Sequence, residues 1–222
     1  MSNPFADYGQ HHRMQPWYDT NKYFASRCWE EDWRLTTLRP SLATLKLKND
    51  LVGVEIGVGR CVNSLNILDN LDIKELHLID LNVPPGVNGR EAVEDPRTTF
   101  WHGDSMQLSK QLPDELDFVY LDASHDYDFI LNELRIVLPK LKRGGLVGGH
   151  DYEQIGVATA VATLQCNLWR HLKEKPCIEV ESCRDNHPGY PEEYIETGFP
   201  LDWWYVKDHD LTGFEIFDLR NG

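Results

Sequence analysis

The sequence predicts an α/β fold, a mostly parallel sheet with helices on both faces. Three observations carry this. From residue 51 onward, apolar strand-like runs alternate with helical patterns, which is how a parallel sheet with crossover helices is written. One of these runs, L-V-G-V-E-I-G-V-G-R-C-V-N-S over 51–64, ends in two closely spaced glycines before a helical stretch. And each of the first five strand-like runs ends at or beside an acid, where ligands of open parallel sheets sit.

Each element follows in order. Residues 1–50 are polar and aromatic, with Trp17, Tyr18, Tyr23, Phe24, Trp29 and Trp33; they predict an N-terminal helical cap with helix over 17–38, stopped by Pro40. Strands are predicted at 51–57, 74–80, 97–102, 116–122 and 145–150. Helices fall between and after them at 61–70, 105–112, 127–141 and 156–173. The helix at 127–141 places Phe129, Ile130, Leu134, Val137, Leu138 and Leu141 on one face. Gly144 and Gly145 then release the chain into the next strand. Strands at 177–182 and 202–207, joined by a Pro/Gly-rich loop over 183–201, fit an antiparallel closing pair, with 214–219 as a possible last strand. The domain organisation expected is a cap at 1–50, part of the same unit as a domain at 51–222.

Bulk properties narrow the function. A net charge of −14, from 36 acids against 22 bases, argues against nucleic acid or an anionic membrane as the main partner. The cysteines Cys28, Cys61, Cys166, Cys177 and Cys183 are scattered without a C-x-x-C, which reads as reduced thiols in a cytoplasmic protein. No signal-peptide-like apolar region opens the chain, and no run approaches the roughly 18 apolar residues of a membrane span. His11 and His12 read as surface residues, since acid or thiol partners are not near them in sequence.

The strand ends read, in order, Glu55-Ile56-Gly57-Val58-Gly59, Asp80, Gly103-Asp104-Ser105, Asp122-Ala123-Ser124-His125 and His150-Asp151-Tyr152. Glycines at the first end let backbone approach a ligand, and an acid about twenty residues on accepts hydrogen bonds from ribose hydroxyls. A dinucleotide site asks for G-x-G-x-x-G, and Val62 stands where the third glycine would be. Glu55, two residues before the first glycine, suits the cationic amino and sulfonium groups of S-adenosyl-L-methionine (SAM) better.

Over roughly 50–208 this pattern resembles the class I SAM-dependent methyltransferases, with their Rossmann-like seven-stranded sheet. Glu55, Gly57 and Gly59 match the E-x-G-x-G motif, with Cys61 where the next glycine usually stands; Asp80 matches the ribose acid, and Asp104 with Ser105 the adenine segment. The spacing L-D-A-S-H-D-Y, helix, G-G-L-V-G-G-H-D-Y looks like the macrocin O-methyltransferase-related group. That resemblance implies a divalent cation, Mg²⁺ or Mn²⁺, on Asp122 and Asp151, with His150 as a further ligand or a hydrogen bonder behind them. An imidazole ligand moves preference from Mg²⁺ toward Mn²⁺, Fe²⁺ or Zn²⁺. Asp122 and His125 are the candidate catalytic residues, His125 alternatively a helix-start residue bonding backbone. Tyr127 and Tyr152 read as pocket wall. The expected reaction is metal-assisted O-methylation of a small-molecule or sugar hydroxyl. Assembly into a homo-oligomer is open. Three alternatives stand beside it: a metal-independent methyltransferase, an NAD-linked oxidoreductase, and a non-catalytic SAM-binding protein.

Overall fold

Seven strands form one sheet in the order β3-β2-β1-β4-β5-β7-β6. The structure is a computed structural model and describes residues 35, 37–182 and 201–221. Most of the predicted cap and nearly all of the 183–201 loop lie outside the described residues, as do His11, His12, Cys28 and Cys183.

The elements are α1 (Pro40–Ala43), β1 (Leu51–Ile56), α2 (Val62–Asn70), β2 (Ile73–Asp80), α3 (Gly86–Glu94), β3 (Thr98–His102), α4 (Ser105–Leu108), β4 (Leu116–Leu121), α5 (Tyr127–Val137), β5 (Leu141–Gly149), α6 (Ile155–Leu172), β6 (Ile178–Ser182) and β7 (Leu201–Val206). Strands β1 to β5 pair in parallel, so their carboxyl ends share one edge. Strand β7 runs antiparallel to β5 and β6, which is the predicted closing pair.

Strand alternation sends side chains to two cores. Val119, Leu121, Val147, Trp203 and Tyr205 pack against α5 and α6, with Leu134, Val161, Leu164 and Leu168. Phe118, Tyr120, Leu146 and Trp204 pack on the other face with Leu42 and Leu45, and with Leu65 and Leu68 of α2. The adjacent tryptophans therefore serve opposite cores. Burial on both faces explains why the central strands read as continuous apolar runs.

Four expectations change. Helix α3 was not legible, because Gly86 and Gly89 weaken a helical pattern. The predicted 105–112 helix is one α-turn followed by a 3₁₀ turn over Ser109–Gln111. The predicted 127–141 helix ends at Val137 and finishes as a 3₁₀ turn over Leu138–Lys140, where Pro139 sits. Residues 214–218 form no strand. Asn167 instead takes the place of a neighbouring strand: its Nδ2 donates to the Phe217 carbonyl (2.9 Å) and its Oδ1 accepts from the Phe217 N–H (3.0 Å).

Candidate functional site

The glycine turn after β1 is built by backbone demands. Gly57 has φ +86°, and a Cβ there would lie 2.4 Å from the Asp122 carbonyl oxygen, so only glycine lets β1 and β4 end side by side. Gly59 has φ +52° with open space in front of it. Cys61 enters α2 in the same left-handed region and is buried. Burial pushes its thiol up to about 12, so it is packing rather than a nucleophile.

Asp80 stands at the end of β2, facing this turn. Its Oδ2 accepts from the Gly59 N–H (2.9 Å) and its Oδ1 from the Asn82 N–H (2.8 Å). The acid therefore latches the glycine turn and keeps further lone pairs for a ligand hydroxyl.

Glu55 is turned inward, 1% exposed. It accepts from Asn63 Nδ2 (2.9 Å) and from the Ser64 hydroxyl, tying β1 to the first turn of α2. Burial raises its pKa to about 7 against those hydrogen bonds, and the Asp122 charge adds to the rise.

At the third strand end, Asp104 caps α4 by accepting from the Met106 N–H (2.9 Å). Ser105 is buried and donates to Glu133 Oε1 (2.6 Å). Glu133 belongs to α5 and was not singled out from the sequence. The signal was an acid on the face that carries Ile130, Leu134 and Val137, all of them buried. Burial raises its pKa to about 7.

The fourth and fifth strand ends converge. One ligand atom each from Asp122, His125 and Asp151 lies within 4.8 Å of the others. His125 Nε2 is 2.6 Å from Asp151 Oδ2. Asp151 has φ +58°, a left-handed conformation that aspartate tolerates better than most residues, and this turns the chain between β5 and α6. Burial raises the Asp122 pKa above the ordinary carboxylate range; the Asp151 charge adds to that, while His150, Arg39 and His125 oppose it.

His150 is not brought into that trio. Its Nδ1 lies 3.0 Å from Asp202 Oδ1, and Arg39 Nη1 lies 3.2 Å from its Nε2. Asp202, fully buried on β7, also accepts from Ser41 Oγ (3.0 Å) and Tyr120 OH (2.9 Å). Burial and the Arg39 charge press the His150 pKa down, but Asp151, Asp202 and Asp122 outweigh them and raise it.

Tyr127 is no pocket wall. Its hydroxyl donates to Asp218 (2.9 Å) and meets Thr163 Oγ1 (3.2 Å), anchoring the C-terminal segment to α5 and α6. Tyr152 is half-buried against the α5–α6 core, and its N–H donates to the Leu201 carbonyl (3.1 Å).

A glycine turn latched by an acid stands beside three candidate ligand atoms gathered at the next two strand ends. Residues 52–152, which hold both, match the family model described as methyltransferase domain. An uncharacterized protein of Acanthamoeba polyphaga mimivirus is 26% identical over 172 residues, 67% of this chain and 75% of that one. Among solved structures, a candidate methyltransferase of Streptococcus mutans in complex with SAH superposes with TM-score 0.53 at 15% identity, over 75% of this chain and 95% of that one. A spermidine synthase of Thermotoga maritima superposes with TM-score 0.51 at 13% identity, over 78% of this chain. The chain spans 60% of that synthase's length. The structural likenesses show a methyltransferase-like α/β fold.

Proposed function

We propose that the chain is a divalent-metal-assisted O-methyltransferase acting on a hydroxyl of a small molecule or sugar. The observation that carries this is the convergence of Asp122, His125 and Asp151 within 4.8 Å at two neighbouring strand ends. Two carboxylates meet there; burial raises the Asp122 pKa, and the Asp151 charge adds to the rise. A cation relieves it. Two oxygens and one imidazole nitrogen fit Mn²⁺, Fe²⁺ or Zn²⁺ better than Mg²⁺. The imidazole in this set is His125 rather than His150.

For the cofactor, the open space before Gly59, the latched Asp80 and the Asp104 end line up along β1 to β3. In this reading Asp80 accepts ribose hydroxyls, Asp104 and Ser105 form the adenine end, and Glu55 braces the turn from behind. SAM supplies a methyl group on a sulfonium, which a hydroxyl oxygen takes while the sulfur leaves as SAH. A divalent cation held by Asp122, His125 and Asp151 would supply Lewis-acid activation of the acceptor hydroxyl. Asp122 would accept the hydroxyl proton. The strand ends hold acceptor and methyl in line.

The mouth is acidic, consistent with a net charge of −14 and against a nucleic-acid acceptor. No helix among the described residues is long and apolar enough to cross a membrane. We read 51–222 as one domain and the preceding segment as part of it, since Leu42 and Leu45 are buried in the α2-side core. A cytoplasmic location is the reading its cysteines favour.

One observation favours a second reading. The 2.6 Å His125–Asp151 pair has the form of a metal-free dyad, the carboxylate orienting an imidazole base. Conversion of SAM to SAH with a panel of hydroxyl acceptors, run with and without a chelator, separates the two. Loss of turnover with chelator and recovery with Mn²⁺ is expected; full turnover in chelator would support the dyad instead.

A further inference from the structure

The buried polar network behind the trio joins segments far apart in sequence. Arg39 is 6% exposed and Asp202 is fully buried. Arg39 Nη1 contacts both ring nitrogens of His150 (3.0 and 3.2 Å) and lies 3.9 Å from Asp202 Oδ1. His150 Nδ1 lies 3.0 Å from the same carboxylate oxygen. Asp202 can accept from the His150 Nδ1–H, and the Arg39 guanidinium lies against the same imidazole. Two residues after Arg39, the Ser41 hydroxyl donates to the other oxygen of Asp202. The 39–41 segment therefore grips the end of β7 and, through His150, the end of β5.

His150 is followed by Asp151, held in its left-handed turn. The His150 N–H donates to the Leu121 carbonyl (3.1 Å), one residue before Asp122. The His150 backbone is thus tied to the end of β4 and its ring to Arg39 and Asp202, next to the residues that carry both carboxylates of the trio. The Arg39 charge also opposes the rise in the Asp122 and Glu55 pKa values, so one guanidinium offsets acids at two strand ends.

We infer that Arg39 is a positioning residue for the candidate metal site, acting through His150 and Asp202 on the ends of β4 and β5. This rests on the metal reading above. Buried ion pairs are poor evidence of stability, and setting geometry is their better-attested use. Groups that orient metal ligands from behind commonly set metal affinity by about 10–100-fold.

The test is Mn²⁺ titration calorimetry on the 222-residue chain, with SAH affinity and melting temperature measured alongside. The variants are Arg39→Met, Arg39→Met with Asp202→Asn, and Asp151→Ala. Arg39→Met is expected to weaken Mn²⁺ by about 10–100-fold while SAH affinity changes by less than about threefold. It leaves the buried Asp202 charge without the Arg39 guanidinium, which threatens the fold. The double variant removes both charges and is expected to melt near wild type. If Arg39 only neutralises Asp202, the double variant regains wild-type Mn²⁺ affinity, and the inference is wrong. If Arg39 positions the ligands, Mn²⁺ stays weak in a well-folded protein. Should Asp151→Ala lose Mn²⁺ while both Arg39 variants bind as wild type, the metal reading stands and this inference falls. Should the wild-type chain bind no Mn²⁺, both fall together.

Discussion

At the scale of residues, Asp80 carries two roles in one carboxylate. It latches Gly59 and, in the proposed function, meets the ribose. Asp80→Ala removes hydrogen bonds to a charged acceptor, worth about 1.5–3 kcal/mol. SAM affinity is expected to fall by roughly 10–100-fold in calorimetry; unchanged affinity would take Asp80 out of the cofactor site. Glu133 makes a different prediction. Its folded pKa of about 7 lies above its ordinary 4.5, so over that window the folded chain holds a proton that the unfolded chain has lost. Stability from this group is therefore present at low pH and falls as pH rises toward about 7, by roughly 3 kcal/mol in total. Glu133→Gln keeps an oxygen for the Ser105 hydroxyl and removes the titration. The variant is expected to gain melting temperature over wild type as pH goes from 5 to 8. Glu55 has a similar shift, so the wild-type slope is reduced rather than abolished. Parallel melting curves across that range would contradict the burial argument.

Asp80, Gly57, Gly59, Asp122 and Asp151 were legible because each sits at a strand end within a short motif. Arg39, Tyr120, Asp202 and Glu133 were not. Their partners lie 28 to 163 residues away in sequence, and no spacing rule joins them. A polar signal was present all the same: Asp202 is followed on its strand by Trp203, Trp204 and Tyr205, all buried. An acid in such company needs partners. His125 was read as a base or a backbone bonder; its approach to Asp151 depends on the left-handed turn after β5, which the sequence does not announce.

Among elements, the sheet and the long helices were read from period, and they hold. The misses came where a second interaction overrode the period. Helix α3 forms despite two glycines, one of which, Gly89, is packed so closely on Pro84 that a Cβ would lie 2.5 Å from its carbonyl oxygen. Gly89→Ala is therefore expected to destabilise the chain by about 1–3 kcal/mol, although alanine is the better helix former. A neutral or higher melting temperature would mean that α3 does not pack on Pro84 this way. The segment 214–218 alternates like a strand, yet its backbone is held by the Asn167 amide and by Tyr127 through Asp218. Asn167→Ala leaves the Phe217 N–H and carbonyl without these partners. Limited proteolysis is expected to cut near residues 211–218 in this variant well before wild type. Equal cleavage rates would show that the packing of Phe214 and Ile216 alone secures the tail.

For the whole molecule, topology does the gathering. Five parallel strands bring their carboxyl ends to one edge, so acids scattered from 55 to 151 in sequence become neighbours. The first three ends face the proposed cofactor and the next two the proposed chemistry. Burial raises the pKa values of Glu55 and Asp122, the neighbouring acids add to the rise, and a cation would relieve it at the second group. The central claim is thus that a divalent cation sits between Asp122, His125 and Asp151. Anomalous diffraction at the manganese edge, from a crystal grown with SAH and Mn²⁺, tests it most directly. A single strong peak within ligand distance of those three side chains, with the SAH ribose against Asp80, is the expected result. SAH bound at Asp80 with no manganese peak at the trio would contradict the metal-centred account and leave the His125–Asp151 pair as a metal-free base.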